Sequence, residues 1–119
     1  MADLTPLVER HLDAARSSDN GRSAELVAHD GVLRQTVVAL RGGIRLSEHN
    51  SPPAASLLVL RGRVRVEVGD REQGEFGAGE LWVLTHDRHA VLAMEDAVFL
   101  LTTVTSTGEA SHGGPEPAA

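Results

Sequence analysis

The chain has 119 residues, the length of one domain, and a formal net charge of −6 at pH 7, which disfavours binding to the phosphates of nucleic acid. Cysteine and tyrosine are absent and all 11 basic side chains are arginine, which excludes thiolate nucleophiles, cysteine-bound zinc, disulfides, lysine Schiff bases and tyrosine acids. No apolar run approaches the roughly 20 residues that cross a bilayer, and the N-terminus lacks a signal pattern. We therefore expect a cytoplasmic protein without a nucleic-acid or membrane partner.

The first element is predicted to be an α-helix. Thr5 is the predicted N-cap, and Pro6 suits the first helical position because no N–H is needed there. An apolar stripe recurs near helical spacing, formed by Leu4, Leu7, Val8, Leu12 and Ala15. Turn-forming residues at 17–21 end the helix, and residues 1–22 are predicted to be the helix and its linker.

Short apolar runs separated by turn signals follow, a pattern typical of an antiparallel all-β sandwich or barrel. The predicted strands are residues 24–28, 32–40, 44–48, 56–60, 63–68 and 81–84, and a stretch from 89 to 104 that is interrupted near Glu95 and Asp96. In the predicted strand 63–68, three valines alternate with charged residues, which indicates one buried and one solvated face. The run at 56–60 is apolar after its first residue and indicates a strand covered on both faces.

The barrel is predicted to span residues 23–104 and to be followed by a tail. Residues 105–119 are small, polar and rich in glycine and proline. Such a composition buries too little apolar surface to offset the entropy of ordering the chain. We therefore expect the tail to be disordered.

Glycine and histidine recur at fixed positions around two pairs of predicted strands. Gly43 is followed by His49 and a strand that Gly62 closes, and Gly79 is followed by a strand and then His89. This spacing resembles the two sequence motifs of the cupin family. The resemblance implies an antiparallel jelly-roll barrel with both histidines in its interior, and a homodimer.

The resemblance makes His49 and His89 candidate ligands for a divalent transition metal, namely iron, manganese, nickel or zinc. The first motif is degenerate, because Ser51 stands at the position of its second histidine and Ala54 at that of its glutamate. Two imidazoles alone make a poor site, since catalytic iron and zinc centres use at least three protein ligands. A third ligand must come from outside the motif, and the candidates are Gln35, Glu48 and Asp87. Otherwise the two histidines are hydrogen-bonded pocket residues without a metal.

Three residues are candidates for binding a small molecule, namely Gln35, Ser51 and Trp82. Ligand pockets combine apolar walls with a few polar groups, and Trp82 lies on the strand that leads to His89. Core packing is nevertheless the more common role of a tryptophan. The pattern leaves open which face of the barrel carries Arg34 and Gln35.

Three functions are compatible with these features. The preferred one is a noncatalytic or weakly metal-binding cupin that senses or holds a small molecule, because half of the motif's ligands are missing. The second is a metal-dependent oxygenase or isomerase that uses His49 and His89. The third is a structural or protein-interaction module, and the sequence does not decide whether the chain is an enzyme.

Overall fold

A computed structural model describes residues 2–47, 53–84 and 88–105 of the chain. Its elements are α1 (Thr5–Ser17), β1 (Arg22–Asp30), β2 (Leu33–Leu40), β3 (Arg45–Ser47), β4 (Ala54–Arg61), β5 (Arg63–Val68), β6 (Arg71–Gly77), β7 (Leu81–Leu84), β8 (Ala90–Ala93) and β9 (Ala97–Val104). Within these ranges, no helix has the length and apolarity to cross a membrane. The predicted tail, apart from Thr105, lies outside the described residues.

The strands form two antiparallel sheets. The five-stranded sheet has the order β1-β2-β9-β4-β7, and the four-stranded sheet has the order β3-β8-β5-β6. Every described strand pair is antiparallel, and strands that are distant in sequence become neighbours, as in a jelly roll. The predicted all-β fold class with one N-terminal helix is confirmed.

The main core lies between the two sheets. Alternation places one side of each strand toward the other sheet, and the fully buried residues of this core include Leu57, Val64, Val66 and Phe99. Val64 and Val66 are the valines that the sequence pattern assigned to a buried face. This alternation also decides which polar residues reach the interior.

Helix α1 packs on the outer face of the five-stranded sheet. Leu12 and Ala15 are completely buried there against Val37, Ala39 and Val98. The N-cap is Leu4, and Thr5 is the first helical residue, so the predicted cap was wrong by one position. Asp3 provides a hydrogen bond, because its Oδ1 accepts from the Thr5 backbone N–H at 3.1 Å.

The glycine that ends β4 lies in a position that a larger residue does not fit. Gly62 has a φ of +80°, and a Cβ built on it would lie 2.2 Å from the Asp96 carbonyl oxygen. The turn between β4 and β5 therefore passes against the turn between β8 and β9. This close approach is where the chain crosses from one sheet to the other.

Candidate ligand-binding site

The candidate residue His89 lies at one end of the fold. Strand β7 ends there and β8 begins there, while β3 ends and β4 begins at the same end. We call this the His89 end, after the residue that directly precedes β8. His89 is 4% exposed and directly precedes β8. His49 and Ser51 lie outside the described residues.

A row of residues crosses the inner face of the five-stranded sheet at the His89 end. The strand register aligns His29, Arg34, Thr103, Ala55 and Leu84. Residues directly opposite one another in an antiparallel sheet share a face. Ala55 and Leu84 of this row belong to the main core. The row therefore changes from apolar to polar toward β1 and β2.

The next row inward carries Thr36 on β2 and Trp82 on β7, with Leu101 and Leu57 between them. The Trp82 ring packs on Phe76 of the other sheet, with 4.9 Å between ring centroids and 32° between planes. The two aromatic rings therefore bridge β7 and β6, the neighbouring edges of the two sheets. The predicted alternative of core packing for Trp82 is thus realised.

The indole of Trp82 also carries a donor without an acceptor. Its Nε1 is buried and has no hydrogen-bond partner among the described residues. An indole N–H is a donor only, and a buried donor without a partner costs about 1–3 kcal/mol. An acceptor oxygen placed at this atom would therefore stabilise the folded chain.

Gln35 lies on the opposite face of the same sheet. Its Nε2 donates to Thr102 Oγ1 at 3.2 Å, and its odd position in β2 places it with Val37 and Ala39 on the side of the helix. The structure does not bring Gln35 together with Trp82. Its predicted role in binding a ligand or a metal stays a prediction.

A concavity of about 600 Å³ lies at the same end, against the outer side of the four-stranded sheet. It is lined by Arg45, Ser47, Glu67, Gly69, Asp70, Arg88, His89 and Ala90. Arg45 Nη2 lies 2.9 Å from Glu67 Oε1. This arginine therefore faces outward and is already paired with a carboxylate.

The described residues do not contain a complete set of metal ligands. Across ranges 2–47, 53–84 and 88–105, no group of three or more histidine, aspartate or glutamate side chains is placed to hold an ion. The cupin resemblance implies a metal site, and of the predicted ligands His49 and His89 the described residues include His89. The described residues therefore do not supply a complete metal centre, and we derive no chemical step through a metal.

Three polar residues of the inner face were not predicted from the sequence, namely His29, Thr36 and Thr103. Thr36 could have been found, because it alternates with Val38 and Leu40, which are buried in the main core. His29 could not, since a register shift between Leu26 and Ala28 changes the alternation of β1.

The sequence matches no family model and no curated protein, whereas the fold matches solved structures. A conserved protein of unknown function from Streptococcus pyogenes, SPY1581, is 23% identical with a TM-score of 0.64, over 86% of this chain and 80% of that one. A cupin superfamily protein from Desulfitobacterium hafniense is 14% identical with a TM-score of 0.64, over 74% and 81%. KdgF from Halomonas sp. is 20% identical with a TM-score of 0.60, over 74% and 83%. The chain is a small protein with the cupin fold.

Proposed function

We propose that the chain binds a small polar molecule with acceptor oxygens, of the class of small carboxylates, inside the fold at the His89 end. The observation that carries this proposal is the buried Trp82 Nε1, which has no acceptor among the described residues. A carboxylate or carbonyl oxygen of a ligand would accept this hydrogen bond. The gain is larger at a buried donor than at a solvated one, because no bond to water is lost in exchange.

Polar residues farther across the same inner face suit an anionic ligand that extends from Trp82 toward β2. Arg34 is an exposed residue on this face, three strands from β7 and one row nearer to the end, and guanidinium binds carboxylates through paired hydrogen bonds. Thr36 and Thr103 add hydroxyl groups on that face. Apolar walls with a few polar groups are the usual composition of a ligand pocket.

Trp82 makes the proposal directly measurable. The chain has one tryptophan and no tyrosine, so intrinsic emission excited at the indole band reports on this single ring. Titration with acetate, succinate and citrate is expected to shift the emission with a saturable dependence for at least one of them. The neutral diol 1,4-butanediol, matched in length to succinate, is expected to leave the emission unchanged.

One substitution separates the indole donor from the aromatic ring. Trp82→Phe keeps an aromatic ring against Phe76 and removes the N–H, so the ligand-free protein is expected to be at least as stable as the wild type. The same variant is expected to bind the carboxylate about 10–100-fold more weakly by calorimetry, the loss of one hydrogen bond to a charged group. Unchanged affinity in Trp82→Phe would refute the proposed contact.

Arg34 has a matched control on the neighbouring strand. Arg34→Gln is expected to weaken carboxylate binding, because it removes the cation on the inner face. Arg22 pairs with Leu40, at the opposite end of the sheet, and Arg22→Gln is expected to bind as the wild type does. Equal losses in both variants would indicate nonspecific screening of charge, and no saturable emission change with any carboxylate would overturn the proposed function.

A metal at His49 and His89 is the second candidate. The burial of His89 at the end where β3 leads toward His49 supports it. Because the motif's other ligand positions hold Ser51 and Ala54, this candidate corresponds to weak binding of a divalent ion rather than to a catalytic centre.

A further inference from the structure

Three side chains of α1 and β1 form a continuous hydrogen-bonded chain. His11 Nδ1 lies 2.7 Å from Ser23 Oγ, and His11 Nε2 lies 2.7 Å from Glu25 Oε1. Ser23 and Glu25 are two positions apart in β1, so both side chains point to the face on which the helix packs. A hydroxyl, an imidazole and a carboxylate in this order are the arrangement in which a base activates a nucleophile and a third group orients the base.

The carboxylate determines the direction of these hydrogen bonds. Glu25 also accepts a hydrogen bond from Arg10 Nη2 at 2.7 Å, and the bonds from His11 and Arg10 lower the pKa of Glu25. Glu25 is therefore ionised at pH 7 and is an acceptor only, so the hydrogen of this bond lies on His11 Nε2. In the neutral imidazole, Nδ1 then has the lone pair and accepts from the Ser23 hydroxyl. This is the tautomer in which a histidine can take the proton of a serine.

The base is enclosed, while the hydroxyl beside it is accessible. His11 is 8% exposed, whereas Ser23 is half-buried. Ser23 also lies on β1, which is an edge strand of the five-stranded sheet. A small molecule can therefore approach the hydroxyl from the open edge of the sheet without displacing the imidazole.

A backbone donor lies directly beside this hydroxyl. The Arg41 N–H donates to the Gly21 carbonyl oxygen at 2.8 Å, so these two residues form a hydrogen-bonded pair that continues the register of β1 and β2. Such pairs alternate along an antiparallel ladder, so the N–H of Ser23 points to β2 and that of Ala24 points to the open edge. The N–H of Arg22 follows this alternation, because it donates to side chains of the preceding turn. A backbone N–H next to a nucleophile can stabilise an oxyanion.

We propose that Ser23 is a nucleophile activated by His11 and that this site hydrolyses small carboxylic esters. Ser23 Oγ attacks the ester carbonyl carbon while its proton passes to His11 Nδ1. The bond to the alkoxide then breaks, and the alkoxide takes the proton from Nδ1. Water attacks the acyl-serine in the same way and releases the carboxylic acid. Glu25 does not touch the ester and is a positioning residue that holds the imidazole tautomer. This proposal does not depend on the ligand site at the His89 end.

Labelling with a fluorophosphonate tests the nucleophile in the unaltered protein. The serine oxygen displaces fluoride at phosphorus, and the wild type is expected to acquire one phosphonyl group, which peptide mass spectrometry locates at Ser23. Ser23→Ala is expected to remain unlabelled. The matched control Ser17→Ala removes an exposed hydroxyl of α1 and is expected to be labelled as the wild type is. An unlabelled wild type, or equal labelling of Ser17 and Ser23, would overturn the proposal.

Hydrolysis of p-nitrophenyl acetate tests the base and its orientation. Ser23→Ala and His11→Gln are expected to lower kcat/KM by about 100-fold, a common contribution of general base catalysis, with the wild-type far-ultraviolet spectrum retained. Ser17→Ala is expected to leave it unchanged. Glu25→Gln is expected to slow hydrolysis and to shift its pH dependence toward lower pH, because the lost carboxylate favours the charged imidazole. A rate that is the same in the wild type and Ser23→Ala would overturn the proposal.

Discussion

His11 and Glu25 join the helix to the edge strand β1, with His11 Nε2 lying 2.7 Å from Glu25 Oε1. His11 is 8% exposed, and its Nδ1 lies 2.7 Å from Ser23 Oγ. Both ring nitrogens are therefore occupied by side chains of one strand. Arg10 Nη2 contacts the same Glu25 oxygen at 2.7 Å, so this carboxylate has two partners on the helix.

This arrangement predicts that Glu25 contributes to the acid sensitivity of the fold. Hydrogen bonds from His11 and Arg10 lower the pKa of Glu25 below its usual value. A carboxyl whose pKa is lower in the folded chain adds stability above its unfolded pKa and loses it as the pH falls through the folded value. Denaturant unfolding at pH 7 and at about pH 3 is expected to show a smaller difference in Glu25→Gln than in the wild type.

Glu9 gives a control for this prediction. It pairs with Arg61 at the surface and is 57% exposed on its side chain. Glu9→Gln is expected to leave the acid dependence near that of the wild type, because exposed ion pairs contribute little. An acid dependence that is identical in Glu25→Gln and the wild type would contradict the role given to Glu25.

Asp96 connects three segments and is predicted to matter more than other surface carboxylates. Its Oδ2 accepts from Arg16 Nε at 2.8 Å, and its Oδ1 accepts from the Gly42 backbone N–H at 2.8 Å. These two contacts lower its pKa, the arginine more than the backbone. Asp96→Ala is expected to lower the free energy of unfolding at pH 7 by about 1 kcal/mol or more, since it leaves a backbone donor without its partner.

Asp13 is the matched control, because it also pairs with Arg16, at 3.3 Å, within the helix. Asp13→Ala is expected to be neutral or slightly stabilising, as alanine is the better helix former. Chemical denaturation of both variants checks the difference. Equal effects would show that the pairing with Arg16, rather than the bond to Gly42, determines the contribution of Asp96.

The strands could largely be predicted from the sequence where an alternating or wholly apolar pattern is present. The bounds of β5 and β7 agree with the prediction to the residue. Strand β6 was missed, because Arg71–Gly77 is mainly polar and contains two glycines. It is a strand because it pairs with β5, where Phe76 lies opposite Val64, and this tertiary contact leaves no local pattern.

The candidate site could be predicted only in part. His89 and Trp82 follow from motif spacing, whereas the face that carries Gln35 depends on which residues of β2 are buried. The predicted double coverage of β4 is also incomplete: Leu57 and Val59 are buried, but Leu58 is only half-buried. Ion pairs such as Arg61 with Glu9, which are 52 positions apart, have no signal in sequence spacing.

The close approach at Gly62 predicts a large cost for the smallest substitution. Gly62→Ala would place a methyl group 2.2 Å from the Asp96 carbonyl oxygen, in addition to the cost of about 1–2 kcal/mol of a positive φ in an L-residue. Gly43→Ala is the control, with a φ of +90° and nothing within 4 Å of the added carbon. Thermal unfolding is expected to show a clearly greater loss for Gly62→Ala. Equal losses would mean that the turn relaxes and relieves the contact.

Metal binding at the His89 end is predicted to be weak and to require the histidine pair. Zinc or nickel is expected to raise the melting temperature of the wild type modestly and reversibly with chelator, because two imidazoles fall short of the three protein ligands of a tight site. His89→Ala is expected to lose this response, and His49→Ala likewise. The control His29→Ala removes an exposed imidazole of the inner row at the same end and is expected to retain it. Elemental analysis that finds a full equivalent of metal after dialysis against chelator would contradict weak binding, and a response that survives in both His49→Ala and His89→Ala would show that the pair does not bind the ion.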